Sequence, residues 1–590
     1  MKRYAQSVLA GMLLWSLPGC SSEPDKTASK PAAVDITFFS GARFIAGDGS
    51  APIEGATFIV EDGKITAVGQ RNELKPPKGS GRIELEGQTV MPVFVNLNAH
   101  VGLNTGASFS SKNYKRESVM ADLNRYAYYG VAAVAITGTD SGDLAFQIRD
   151  EQHAGKTGGA RLFTAGRGIT SKGGFPTGTH DDIPIQVGTE AEARKAVADQ
   201  ADKKVDFINI WVDDNLGRSP KLKPELYRAI IDEAHKHSIR VVADASSVAD
   251  AKDLVKAGVD GFSQSIRDRE ADNELISMMK EKNTFLTPAL TSLEAKFVYA
   301  EKPRWLGEQT MREVYPAQLS GYLADPIVMN KFKRNPDLEK LRQQYSTAEK
   351  NLKKLSEAGV KIGLGTDSGS ADTYPGYFEL RELELMAAAG MAPLEVIKAA
   401  TSVSAGILGT NEIGALTVGK AGDFLVLSSN PLEKITNVKE ISSIYKAGAA
   451  VDRGLMIQNI AIEVPKITAK DRAEDAAAQA REAAAAAEAK LEHFGKFPLG
   501  PSANVRAMPV PTPKGSTADI KAGPPDRITV SLKATPAELR EFYTKALPRY
   551  RWQAQGGGAC WERQHPISNK AQVLCIEPGA NSAVIQISEK

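Results

Sequence analysis

The sequence predicts an α/β protein built on an eight-stranded β/α (TIM) barrel. A small β-sandwich domain is drawn from both flanks of the barrel, and a small α+β domain follows at the C-terminal end. Three observations predict this. Between residues 91 and 411, eight short apolar runs alternate with amphipathic stretches of helical period. Short strands with tight turns bracket that region, at 35–90 and again at 412–455. A Pro/Gly-rich stretch at 495–525 then sets off a last strand–helix–strand pattern at 526–590.

The first nineteen residues read as a targeting segment. Lys2 and Arg3 form a positive start, and Ser7 to Leu17 is an apolar run too short to cross a bilayer as a stable helix. The run ends in Leu17-Pro18-Gly19-Cys20, which has the form of a lipobox, where a cysteine is lipidated and the segment before it removed. Residues 20–34 follow as a polar tether. The expected location is therefore a membrane surface facing the periplasm, with lipid on Cys20 as anchor and no transmembrane helix in the mature chain. Ser21 rather than aspartate follows the cysteine, which favours the outer membrane.

The flanking β domain is read from GARFIAGDGS, ATFIVEDGKITAVG and RIELEGQTV, with Asp62-Gly63 as a hairpin turn. The style returns in GALTVGKAGDFLVLSSNPL and ISSIYKAGAAVDR. Barrel strands are expected at 89–98, 131–138, 161–167, 205–211, 239–245, 258–264, 284–290 and 360–366. The helix at Pro224–His237 shows the intervening pattern: proline opens it, and Leu226, Ile230 and Ala234 share a face. Chemistry on such a barrel gathers at the C-terminal ends of the strands.

Residues 468–494 read as an Ala-rich helix and 495–525 as a linker. In the last unit Thr535 caps a helix, Pro536 takes its first position and Glu538 completes a capping box. ACWERQH and AQVLCIE read as hairpin strands, with Cys560 and Cys575 placed symmetrically about Pro566-Ile567-Ser568-Asn569. A disulfide between them is expected in an exported chain. Lys plus Arg number 73 against 71 Asp plus Glu, a net charge of +2, with no basic stripe, so no nucleic-acid partner is expected.

Six features in order make residues 35–455 resemble the amidohydrolase superfamily. They are the split β domain, VMPVFVNLNAHVGL, DFINIWVDD, the pair VVADAS and GVDGFSQS, IGLGTDSG, and the closing GALTVGKAGDFLVL. The resemblance is closest to the imidazolonepropionase-like and Xaa-Pro dipeptidase-like branches. It implies a metal-dependent hydrolase of C–N bonds in small peptides or amides. It also implies one or two divalent ions, zinc by ancestry. Their ligands would be a His-x-His pair on strand one, a carboxylated lysine on strand four, a histidine each on strands five and six, and an aspartate on strand eight. That aspartate would also accept the proton of the attacking water.

Four of these six positions depart from the pattern. Strand one carries Asn98-Ala99-His100, strand four Asn209, strand five Asp244 and strand six Gln264; only His100 and Asp367 remain. Val93 replaces the glycine usual before the core of the first strand. Of the other histidines, His235 and His237 belong to a helix end, and His153, His493 and His565 lie far from the strand ends. His180, after the third strand, reads as a plain loop residue.

Amide oxygens are poor zinc ligands, so a dinuclear site is not expected. His100, Asp244 and Asp367 form a mononuclear set suited to a harder ion such as Mg²⁺ or Mn²⁺. The competing arrangement is a cluster without metal. There a protonated His100 lies between Asp244 and Asp367 in place of the ion, and Asn98, Asn209 and Gln264 complete the hydrogen bonds.

The expected function is accordingly a lipoprotein with lost or reduced hydrolase activity, a pseudoenzyme binding a small-molecule or peptide ligand or a partner. The partner would be a second copy or an active relative. The alternative is an active amidohydrolase using one divalent ion at His100, Asp244 and Asp367, with Asp367 catalytic. A third reading puts the function in the C-terminal unit and leaves the barrel as scaffold.

Overall fold

The computed structural model describes residues 36–106, 108–176, 182–458, 462, 464–489, 492–497, 508–513, 518–522, 527–532, 535–550, 552–557, 559–564, 571–578 and 583–589. The expectations for the targeting segment, Cys20, His180 and the loop 566–569 fall outside these residues. The chain divides into two compact units: residues up to Ser320 with Pro336–Pro465, and Gly321–Asn335 with Lys466 onward. No helix among the described residues is long and apolar enough to cross a membrane.

The first unit is α/β and TIM-barrel-like. Among its parallel strands are β1 (Phe94–Ala99), β2 (Val131–Ile136), β3 (Arg161–Thr164), β4 (Ile208–Trp211), β5 (Val241–Asp244), β6 (Gly261–Phe262) and β7 (Phe285–Leu286). β1 pairs with β2 and β2 with β3; β4 pairs with β5, β5 with β6, and β6 with β7. The Asp206 amide donates to Thr164 O at 2.8 Å and links β3 to β4.

Residues 360–366, expected as an eighth strand, form isolated bridges in place of a regular ladder. Ile362 pairs with Leu286, and the Leu97 amide donates to Leu364 O at 2.8 Å. The segment therefore runs between β7 and β1. Gly365 permits this close approach, because a Cβ there would lie 2.5 Å from the Thr287 Cβ. The helix Pro224–Lys236 buries Leu226, Ile230 and Ala234, as its period requires.

An eight-stranded sheet combines strands from 36–92 with Phe424–Leu427, Ile441–Lys446 and Ala449–Ala450. The two flanks join where Leu425 lies antiparallel to Met91. Aromatic rings from both flanks share its core: Phe39 stacks on Phe58 with centroids 4.7 Å apart, and Phe424 on Tyr445 at 4.6 Å.

In the second unit the Ala-rich helix spans Ala469–Ala489, and Arg334 pairs with its Asp475 at 2.6 Å and its Glu482 at 2.7 Å. The stretch expected as a linker from 495 to 525 contains strands. Met508–Pro513 pairs antiparallel with Glu492–Phe497, and Ala518–Ala522 joins a six-stranded antiparallel sheet. Proline content misleads here because Pro509, Pro511 and Pro513 alternate. Their missing N–H groups all lie along one edge, and the amides of Met508, Val510 and Thr512 serve the other.

The helix Pro536–Ala546 packs Leu539, Tyr543 and Ala546 inward. Its capping box is closed by the Glu538 amide donating to Thr535 Oγ1 at 3.2 Å and the Thr535 amide donating to Glu538 Oε2 at 2.8 Å. Cys560 and Cys575 stand opposite each other in the hairpin register and are bridged, with S–S at 2.16 Å.

Candidate functional site

Alternation along β1 turns Asn96, Asn98 and His100 to one side of the strand, and all three are buried. Asn98 is fully engaged. Its Nδ2 donates to Ser263 O at 2.7 Å, and its Oδ1 accepts from Thr137 Oγ1 at 2.6 Å. His100 Nε2 meets Asp367 Oδ1 at 2.7 Å, and its Nδ1 meets Thr139 Oγ1 at 2.7 Å. Asp367 Oδ2 accepts from Ser292 Oγ at 2.8 Å.

Asp367 is held in the left-handed region at φ 58°, and its amide donates to Asn98 O at 2.8 Å. Gly369 lets this turn seat against the end of β1, since a Cβ there would lie 2.1 Å from His100 O. Burial acts to raise the Asp367 pKa. His100, the Ser292 hydrogen bond and Lys296 outweigh it and hold the carboxyl below its ordinary range.

Behind this pair lies Glu379, fully buried. It accepts from Asn96 Nδ2 at 2.6 Å, Thr366 Oγ1 at 2.7 Å, Ser368 Oγ at 2.6 Å and the Gly376 amide at 2.6 Å. One carboxyl thus fixes β1 and the turn that carries Asp367.

The β4–β6 side is different. The register pairs Asn209 with Val242 and Trp211 with Asp244, which sets Asn209 and Asp244 two steps apart on adjacent strands. Gln264 follows β6 by two residues. Asn209 Oδ1, Asp244 Oδ1 and Gln264 Oε1 are all buried, and none has a hydrogen-bond partner among the described residues. Burial, and next the charge of Asp213, push the Asp244 carboxyl up to about 7, against the pull of Arg267 and Lys296. Arg267 Nη2 pairs with Asp213 Oδ2 at 2.9 Å, and both side chains are buried. Burial acts to raise the Asp213 pKa, but Arg267 leads the opposing influences and the carboxyl lies below its ordinary range.

Sequence reasoning placed six residues at the strand ends, and the structure joins two of them side chain to side chain: His100 and Asp367. The expected bridge from His100 to Asp244 is absent. Both imidazole nitrogens are occupied, by Thr139 and Asp367, so none is left for a second carboxylate. The cations that act on Asp244 are Arg267 and Lys296 instead. Sequence reasoning missed these, along with Asp213 and Thr139. The strand period offered one of them, because Asp213 continues the Asn209, Trp211 alternation.

The donor set does not fit the two-ion site of the resemblance. Asn98 has both ends of its carboxamide engaged, and amide oxygens stand at β4 and β6 where zinc needs nitrogen or carboxylate. Among the described residues no three His, Cys, Asp or Glu side chains are grouped to hold an ion.

The chain matches the amidohydrolase family over residues 90–451. No curated protein matched it in sequence. Among solved structures it is similar to a candidate prolidase from Bifidobacterium longum, with 27% identity and TM-score 0.56 over 75% of this chain and 98% of that one. It is also similar to a Xaa-Pro dipeptidase with methionine bound in its active site, at 22% identity and TM-score 0.55 over 71% and 100%. A molinate hydrolase shows 20% identity and TM-score 0.56 over 74% and 98%.

Proposed function

The chain belongs to the amidohydrolase family, and from that premise we propose an exported, lipid-anchored member whose eight-stranded barrel binds a small polar ligand at its mouth. In this reading the chain does not run the two-metal hydrolysis of C–N bonds. The observation that carries it is the contrast at the ligand positions. Asn98 is spent internally, whereas Asn209, Asp244 and Gln264 present buried acceptors without donors. Buried polar atoms are ordinarily paired, so three orphans at one mouth support a site completed by a ligand.

The residues His100 and Asp367 orient each other and leave no open position at the imidazole. A second reading, one hard divalent ion at His100, Asp244 and Asp367, is favoured by the unpartnered Asp244 Oδ1 and requires the His100–Asp367 contact to open. Metal analysis of the purified full-length protein separates the two. The ligand-binding reading expects well under one ion per chain after passage through buffer without chelator. A stoichiometric ion, with amide hydrolysis that disappears on chelation, overturns it.

Anchoring rests on the lipobox at Cys20. The Cys20→Ser variant is expected to leave the membrane fraction. Unchanged fractionation would contradict the anchor.

A further inference from the structure

At the end of the barrel opposite the mouth, the N-terminal ends of β1, β2 and β3 meet the strand Ile441–Lys446 of the flanking sheet around two adjoining hollows. Chemistry on such a barrel gathers at the other end, so the resemblance assigns nothing here. One hollow is a chamber of about 240 Å³, bordered by Val93, Val131, Ile444, Tyr445 and Met456. The other is a cleft of about 730 Å³, bordered by His153 and Glu412. Gly158, Arg161 and Lys446 border both, which places them at the junction.

The chamber is apolar and preformed. Val93, Val131, Ile444 and Tyr445 are buried side chains. The charges beside them are paired: Arg161 Nη2 lies 3.1 Å from Asp423 Oδ2, and the same carboxylate accepts from the Ala447 amide at 2.7 Å. The helix Arg453–Ile457, which carries Met456, is anchored by Arg453 donating to Tyr128 O at 3.1 Å and to Ile441 O at 2.9 Å. With those groups engaged, the chamber offers an occupant apolar surface, which suits hydrocarbon better than water. The cleft has the opposite character. Arg161, Lys446 and His153 border it with one carboxylate, Glu412, and Arg161 meets that carboxylate at 3.4 Å. No side chain among the described residues pairs with Lys446 or His153. The junction is open, since a Cβ built on Gly158 would meet nothing within 4 Å.

We infer that this end of the barrel binds an anionic amphiphile. Its apolar tail fills the chamber, and its head lies in the cleft against the Lys446 ammonium, with His153 beside it. A small anion would leave the chamber unfilled. An uncharged hydrocarbon would forgo the charge-assisted contact to Lys446, and a cationic head would meet like charge there. The inference is independent of the reading of the mouth, because the two sites share no residue.

The test is calorimetric titration of the full-length protein, kept free of detergent, which would compete for the same site. The probes are butanoate, hexanoate, octanoate, octyl phosphate, octanol and octylammonium. Octanoate stands for a free fatty acid and octyl phosphate for a phosphate-headed lipid, and the tighter of the two identifies the source. At least one of them is expected to bind tenfold or more tighter than octanol or octylammonium. The carboxylates should tighten about fourfold for each methylene that the chamber takes up. Lys446→Gln should remove the preference for an anionic head while leaving octanol unchanged. Gly158 lies outside the left-handed region, so Gly158→Trp fills the junction without backbone conflict and should abolish binding. Gln264→Met, at the mouth, should change nothing.

The inference fails if no probe binds, if octanol or octylammonium binds as well as the anions, or if affinity ignores chain length. It fails equally if Gly158→Trp binds like the unaltered chain. Should Gly158→Trp not fold, Ala132→Phe, at the border of the chamber, takes its place. Binding lost in Gln264→Met but kept in Gly158→Trp would place the amphiphile at the mouth and overturn the assignment.

Discussion

The two sides of the barrel mouth treat their buried polar residues in opposite ways. On the side of β1 and residues 360–369, Asn98, His100, Asp367 and Glu379 all have partners in the protein. Asn98 bridges Thr137 and Ser263, His100 locks onto Asp367, and Glu379 gathers four donors behind them. On the β4–β6 side, three buried acceptors remain without donors. Polar residues at the strand ends of one mouth therefore do not all serve one purpose. A satisfied network fixes a structure, whereas an unsatisfied one leaves polar atoms open to a further partner.

The comparison breaks most readily at Glu379. Glu379→Ala removes the acceptor of four buried hydrogen bonds. It is expected to cost about 4 kcal/mol or more in urea unfolding of the chain, since each orphaned donor carries roughly 1–3 kcal/mol. A loss below about 1 kcal/mol would show that the closed side is not held by this carboxyl.

Asn98→Ala strands the Thr137 hydroxyl and the Ser263 carbonyl, and is expected to cost about 3 kcal/mol by the same reasoning. Full stability in this variant would place Asn98 with the open side and erase the contrast.

The pH dependence sharpens the closed side further. Glu382 is buried beneath the segment after β7 and accepts from the Leu290 amide at 2.8 Å and the Thr291 amide at 2.7 Å. Burial pushes its carboxyl up to about 7, against those hydrogen bonds. A raised acid binds its proton more tightly in the folded chain. Its contribution is therefore fully present below the unfolded value near 4.5 and is lost as pH rises through about 7. Stability is expected to fall by no more than about 3 kcal/mol across that window, and Glu382→Gln should flatten this part of the curve. An unchanged slope in the variant would refute the assignment.

Much of the architecture was legible in the sequence because it follows local rules. Short apolar runs located the parallel strands β1 to β7, and Pro224 and the Thr535/Glu538 box marked helix starts that the structure reproduces. The family and the barrel-like arrangement followed from ordered motifs. The stretch 508–513 was misread because proline content outweighed proline spacing.

At the site, the ligand positions implied by the resemblance located Asn98, His100, Asn209 and Asp244, but pairing across the barrel is a property of distant segments. Asn98 lies 165 residues from Ser263, and His100 lies 267 residues from Asp367. Lys296 sits at the end of a short helix with no strand period to place it, and its influence on Asp244 arises only in the folded chain. The direction in which His100 turned was likewise decided by Thr139, a residue with no motif of its own.

The smallest expected effect is the most direct test of the contrast. Gln264→Met replaces an orphaned buried acceptor with an apolar chain of similar length. In ligand-free protein, urea unfolding should show no loss, and a gain of up to about 1 kcal/mol, because a buried polar atom without a partner is removed. A loss of about 2 kcal/mol or more, comparable to Asn98→Ala, would mean that Gln264 is satisfied within the chain and that the mouth has no open side.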